Sequence, residues 1–337
     1  MKIKIREEIK NIKDEIYAIR RHFHRYPELS FKEFNTAETI SEHLDKLGIS
    51  HKKGVGKTGI VGEINFGPGP TIALRADMDA LPIQEENNLD YKSLNDGVMH
   101  ACGHDGHMAI LLGAANALSK NSKLKKGTVR FIFQPAEEGL GGAKYMIEDG
   151  CLDKVDEIYG LHLWNYQLYG EVGIKDGPVM ASADLFDIEV SGKGGHGATP
   201  QGTVDAIVVA SNLVTMLQTI VSRNTNPLES TVLSIGKIKG GHNFNIISDK
   251  VHMSGTTRAY TEENRTMIKQ RMKEVIEGVS KSFGADIKLN YKDGYPPTVN
   301  HSSQVEKVLK AASSIVVGGA KNPYLSMGGE DFSYYLQ

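Results

Sequence analysis

Cysteine is nearly absent: the 337 residues hold two, Cys102 and Cys151. A pair is too few for a disulfide framework, which excludes the small stapled secreted scaffolds and suits a reducing compartment, so a cytoplasmic location is expected. No dense basic run occurs and the formal net charge is -2. The electrostatic footprint of a nucleic-acid binder is therefore missing, and small-molecule partners are expected instead. Long apolar runs are missing from the N-terminus, where Met1-Lys-Ile-Lys-Ile-Arg-Glu-Glu interrupts each short apolar stretch with charge. That pattern excludes a signal-peptide apolar region and predicts no membrane anchor there. Internal repeats and low-complexity tracts are also lacking.

What is present is an ordinary globular composition, 40% hydrophobic and 24% charged, in a chain longer than one hydrophobic core usually organises. Ile5, Ile9, Ile12, Ile16 and Ile19 recur at helical spacing up to about Arg25, and Pro27 marks the end of that helix. A second helix is expected around Thr36 to Leu47. The runs 59–64, 71–76, 128–133 and 158–162 read as strands, and the stretch 107–118 reads as a helix. Strands alternating with helices predict an α/β catalytic domain with a doubly wound mixed sheet. From about Asp184 the texture changes to strand 185–190, helix 204–221, strands 230–238 and 251–258, helix 262–283 and strand 285–291. That β-α-β-β-α-β order predicts an inserted ferredoxin-like domain. The expected division is 1–182 with 296–337 for the catalytic domain and 183–295 for the insertion.

Three clusters carry chemistry. In His100-Ala-Cys102-Gly-His104-Asp105-Gly-His107, a thiol and imidazoles crowd one loop before a helix, and these are the ligands a borderline divalent metal prefers. The alternatives are a polar loop with packed histidines, or Cys102 as a nucleophile with a histidine partner. In Phe131-Ile-Phe-Gln-Pro-Ala-Glu137-Glu138-Gly139, an apolar strand runs into two acids. Neighbouring side chains leaving a strand diverge, so one carboxylate can hold a metal while the other serves water as general base. Taken alone, a Glu-Glu pair is a solvated turn, but its place at a strand's carboxyl end favours function. In Leu74-Arg-Ala-Asp77-Met-Asp79, one acid can hydrogen-bond a ligating imidazole and fix its tautomer, or simply cap a turn. His162 closes another strand and completes the set of strand-end donors; taken alone, a histidine there is more often a packed one.

These segments together resemble the M20 peptidase family, in its amidohydrolase branch of hippurate hydrolases, N-acetyldiaminopimelate deacetylases and plant auxin-conjugate hydrolases. The resemblance runs through Arg20-Arg-His-Phe-His-Arg-Tyr-Pro-Glu28, Arg75-Ala-Asp-Met-Asp-Ala-Leu-Pro82, Met99 to His107, Gln134-Pro-Ala-Glu-Glu-Gly139 and Gly160-Leu-His-Leu-Trp164. It continues through Ser191-Gly-Lys-Gly-Gly-His196-Gly, Gly255-Thr-Thr-Arg258 and Met327-Gly-Gly-Glu-Asp-Phe332.

The resemblance implies Cys102, His104, Glu138 and His162 as metal ligands, Glu137 as general base and Asp79 as an orienting group. It further implies His196 as oxyanion donor, with Asn245 and Arg258 holding a substrate carboxylate. The reaction implied is hydrolysis of the amide bond of N-acyl amino acids by metal-activated water, with two divalent ions (Mn, Zn, Co or Ni) and a homodimer formed through the inserted domain. A dipeptidase or exopeptidase on the same scaffold is one alternative. A catalytically silent binding protein is another. Family chains continue past the Glu-Asp-Phe motif to a histidine that supplies the last ligand, whereas no histidine follows His301 here. Weak occupancy of the second metal is therefore expected. His100 and His107 are the first places to look for a substitute.

Overall fold

The computed structural model describes residues 4–121, 123–316 and 319–337. Met1 to Ile3, part of the charged N-terminal stretch, lie outside the described residues. The chain divides into two compact units, one formed by Met1–Ile174, His301–Tyr324 and Tyr334–Gln337, the other by Lys175–Asn300 and Leu325–Ser333.

The first unit opens with α1 (Glu7–Lys10), α2 (Lys13–Arg25) and α3 (Phe34–Lys46). The sequence predicts one opening helix; two form, because Ile12 leaves the helical region at φ -112 and ψ 5. It still keeps its side chain in the core, where it is 9% exposed. There follow β1 (Ser50–Val55), β2 (Gly59–Asn65), β3 (Thr71–Asp77), α4 (His104–Ser119), β4 (Thr128–Gln134), the irregular turn α5 (Glu137–Leu140), α6 (Gly142–Glu148) and β5 (Glu157–Gly160). The sheet order is β1-β2-β4-β3-β5. Its β3–β4 and β3–β5 pairs are parallel while β1–β2 and β2–β4 are antiparallel, so the sheet is mixed. Ile40, Leu44, Ile60, Met108, Leu112, Phe131 and Phe133 form the core between sheet and helices.

Because β3, β4 and β5 run parallel, their carboxyl ends share one edge, the place where α/β sheets collect functional groups. The segments just beyond those ends carry Asp79, Glu137 with Glu138, and His162. β5 stops at Gly160, earlier than the expected 158–162, so His162 lies on the segment that follows. The helix α4 begins at His104, earlier than the expected 107, after Gly103 turns the chain at φ 94. A left-handed turn of that kind favours glycine. It puts His104, Asp105 and His107 in the buried first turn.

In the second unit, β6 (Gly177–Met180) precedes β7 (Ala183–Ser191), β8 (Gly195–His196), α7 (Ala206–Thr219), β9 (Thr231–Gly240), β10 (Ile246–Ile247), β11 (Lys250–Ala259), α8 (Glu262–Phe283), β12 (Asp286–Tyr295) and β13 (Thr298–Asn300). Four strands make an antiparallel sheet in the order β12-β7-β11-β9. On β7, Phe186, Ile188 and Val190 point into the core and Leu185 and Asp187 point out, the period-two pattern of a half-covered strand. Asp205 caps α7 by accepting from Ile207 and Val208, Thr261 caps α8 through Asn264, and Gly284 ends α8 at φ 66. Such caps satisfy backbone donors that a helix start leaves unpaired.

The α7 stretch Ala206–Asn224, including the π-turn after Thr219, has the length and apolarity to cross a membrane, with a mean hydropathy of 1.4. Here it lies on the sheet with Val209, Ala210, Leu213, Leu217 and Ile220 in the core. After β13 the chain returns to the first unit through α9 (Ser302–Ile315).

Candidate metal centre

Asp79 is buried just beyond β3 and organises the site with both its carboxylate and its backbone. Oδ1 accepts from the Glu137 amide at 2.9 Å, and Oδ2 accepts from the Glu138 amide at 3.1 Å and the Ser30 hydroxyl at 2.6 Å. Burial pushes its carboxyl up, but the neighbouring His104 above all, with the Ser30 hydroxyl and the Glu138 amide, holds it below the usual range. Its carbonyl oxygen accepts from His104 Nδ1 at 2.8 Å. His104 Nδ1 is thus held by the Asp79 backbone, with the carboxylate of the same residue beside it. The Asp79 carboxylate stands 3.7 Å from the same nitrogen.

With Nδ1 committed, His104 directs Nε2 into the site. That nitrogen is buried with no hydrogen-bond partner among the described residues, as is Glu138 Oε1, and the two are 3.8 Å apart. Buried polar atoms are normally satisfied, so two facing orphans need an explanation. Cys102 Sγ lies 3.4 Å from His162 Nε2, and His162 Nδ1 meets the Leu163 carbonyl at 2.7 Å. Ligand atoms of Cys102, His104 and His162 lie within 4.8 Å of one another, as do those of His104, Glu137 and Glu138. Burial pushes both the Cys102 thiol and the Glu138 carboxyl above their ordinary values. Both anions are thus penalised unless a cation compensates them, and S, N and O donors at this spacing fit a divalent ion with bonds of about 2.0–2.3 Å.

His107 takes no part as a free donor. Its Nδ1 bonds Asp77 Oδ1 at 2.6 Å and its Nε2 accepts from the Leu163 amide at 2.8 Å, so both nitrogens are engaged. Asp77 also receives Arg75 Nη1 at 2.5 Å, and its carboxyl is held well below the usual range against burial. His100 is buried with neither ring nitrogen partnered among the described residues, and burial drives it down to about 4. It joins none of the donor groups found among those residues.

The remaining sequence candidates lie in the second unit. His196 is exposed on β8, pairs across to Ile246 of β10 and accepts from the Ala198 amide through Nδ1 at 3.2 Å. Asn245 belongs to the same ribbon, its carbonyl accepting from the Gly197 amide at 2.8 Å. Arg258 is half-buried on β11, and burial lowers its value while Asp184 opposes that shift. Asp184 is saturated by Arg265 at 2.7 and 2.9 Å, the Gly294 amide at 2.8 Å and the Tyr291 hydroxyl at 3.0 Å. Asp184, Arg265 and Tyr291 escaped the sequence reading, since nothing in one chain marks a bond across 81 positions.

The site's layout, a divalent-metal donor set on the carboxyl edge of a mixed sheet, is that of a metallohydrolase. Residues 73–337 match the family Peptidase family M20/M25/M40, and the chain belongs to it. It is 45% identical over 330 residues to an N-acetyl-L-cysteine deacetylase of Bacillus subtilis, covering 98% of this chain and 79% of that one. To thermostable carboxypeptidase 1 of Saccharolobus solfataricus it is 44% identical over 339 residues, covering 99% and 86%. A solved Bacillus subtilis structure, described as a dinuclear metal binding peptidase from the M20 family, superposes with a TM-score of 0.85 at 37% identity, covering 97% and 86%. The chain is a hydrolase of amide bonds.

Proposed function

We propose that the chain hydrolyses the amide bond of N-acyl amino acids. The observation that carries this reading is the pair of unpartnered, facing atoms His104 Nε2 and Glu138 Oε1 beside Cys102 and His162. The deacetylase relative supports the acyl-amino-acid class. Cys102, His104, Glu138 and His162 are the ligands; Mn, Zn, Co and Ni all suit mixed S/N/O donors. Two divalent ions bound there supply polarisation of the scissile carbonyl and a lowered water pKa. Those four donors suffice for one ion.

Glu137 takes the proton from the attacking water and returns it to the leaving amine. Asp79 holds Glu137 and Glu138 by their amides and orients His104. His196 donates to the oxyanion of the tetrahedral intermediate. Asn245 and Arg258 hold the substrate carboxylate; the nearby Asp184 is already saturated, which leaves the Arg258 guanidinium for a ligand. The segment 183–295 is read as a ferredoxin-like insertion that also forms a homodimer, and the two cysteines fit a cytoplasmic setting.

The test is an assay of N-acetyl and N-benzoyl amino acids with chelator, metal restoration and variants. Glu137→Gln is expected to keep its metal and lose about 10²–10⁴-fold in kcat, while Cys102→Ala loses metal. Full activity in strong chelator would sink the proposal. One relative's name, a carboxypeptidase at 44% identity, favours a second reading as an exopeptidase. Dipeptides cleaved faster than acyl amino acids would establish it.

A further inference from the structure

Glu33 stands at the start of α3 with no exposed surface. Its Oε2 accepts from the Thr58 hydroxyl at 2.6 Å, and its Oε1 accepts from the Ala136 amide at 2.9 Å. Among the described residues it pairs with no cation. Burial pushes its carboxyl above the ordinary value, with the Thr58 hydrogen bond opposing. A position that needed only filling would do better with an apolar side chain, because a carboxylate is costly to desolvate.

What Glu33 holds explains its presence. Ala136 sits at φ 54 and ψ 44, the left-handed region that a residue with a Cβ enters at a cost, immediately before Glu137. The amides of three consecutive residues thus end on two buried carboxylates, Ala136 on Glu33 and then Glu137 and Glu138 on Asp79. Turned this way, β4 delivers Glu137 and Glu138 into the site rather than continuing along the sheet.

We infer that Glu33 is a positioning residue for the Glu137–Glu138 pair, fixing the left-handed turn at Ala136 that aims both carboxylates. This rests on the reading of Glu137 as base and Glu138 as ligand. Glutamine at position 33 can still accept from the Ala136 amide while its own amide donates to the Thr58 oxygen. Alanine can do neither.

The experiment compares Glu33→Gln, Glu33→Ala and Glu33→Ala with Ala136→Gly in the full chain. Glu33→Ala is expected to lower kcat about 10–100-fold with KM nearly unchanged, as for other residues that support a metal site through hydrogen bonds. Glu33→Gln stays near the parent. Ala136→Gly recovers part of the loss, because glycine enters the left-handed region freely. Hydrogen exchange at residues 136–138, read without metal or substrate, should accelerate in Glu33→Ala and not in Glu33→Gln. Should Glu33→Ala be insoluble, Glu33→Asp withdraws the acceptor by one methylene and carries the same expectation. Unchanged exchange in the alanine or aspartate variant, or a glutamine variant as impaired as the alanine one, overturns the inference. A parent chain inactive on acyl amino acids would sink the proposed reaction instead, since the exchange comparison needs no turnover.

Discussion

His24 on α2 is clamped between two acids, with Nδ1 2.9 Å from Asp105 Oδ2 and Nε2 3.2 Å from Glu85 Oε1. The bond to Asp105 raises its value above the ordinary 6.5, although burial pulls the other way. Against burial, His24 and other cationic neighbours hold Asp105 down at about 2. The folded state thus binds a proton at His24 more tightly than the unfolded chain. The stability this contributes is fully present below pH 6.5 and is lost as pH rises through the elevated folded value. His24→Gln should remove that component. Denaturant unfolding of parent and variant between about pH 5.5 and 9 gives their difference, which must shrink as pH rises. A difference that grows with pH would show that the neutral imidazole is the stabilising form.

At the scale of elements, the turn after β4 has little room. An added Cβ at Gly142 would stand 1.7 Å from the Pro135 carbonyl oxygen, and Gly142 itself donates to the Ala136 carbonyl at 3.0 Å. Gly142→Ala is expected to push the turn outward, costing about 1–3 kcal/mol in stability and weakening metal binding through Glu138. A calorimetric melt and a metal titration check the two effects; a variant with parental melting and affinity would mean the turn yields. Much of the site is legible in sequence because its residues are neighbours: Cys102 stands two positions before His104 and Glu137 adjoins Glu138, while elsewhere the alternation at 185–190 announces β7. Distance hides the rest. The bond from Glu33 to Ala136 spans 103 positions, and Ser30 reaches Asp79 across 49. The break at Ile12 is also hidden, since the isoleucine spacing runs through it without a change of period.

On the scale of the whole molecule, the second unit's strands bring its ends together: Ala183 on β7 pairs with Tyr295 on β12, and Met180 pairs with Thr298. With its ends together and a core of Phe186, Ile188, Leu213, Met253, Ile268 and Met272, the segment 183–295 is expected to fold when expressed alone. A single cooperative melt of that fragment is the expected result. A fragment with no cooperative transition would show that it depends on the rest of the chain. The apolar helix α7 has a consequence of a different kind, one of timing. Its core face is covered by β7, β9, β11 and α8, of which all but β7 follow it in the chain. On the ribosome, α7 is complete about forty residues before Ala259, the end of β11. At ~5–20 residues per second it waits about 2–8 s for the cover that β9 and β11 supply. Among the described residues it is the one helix long and apolar enough to cross a membrane, and during that interval its apolar face lacks part of the sheet that buries it.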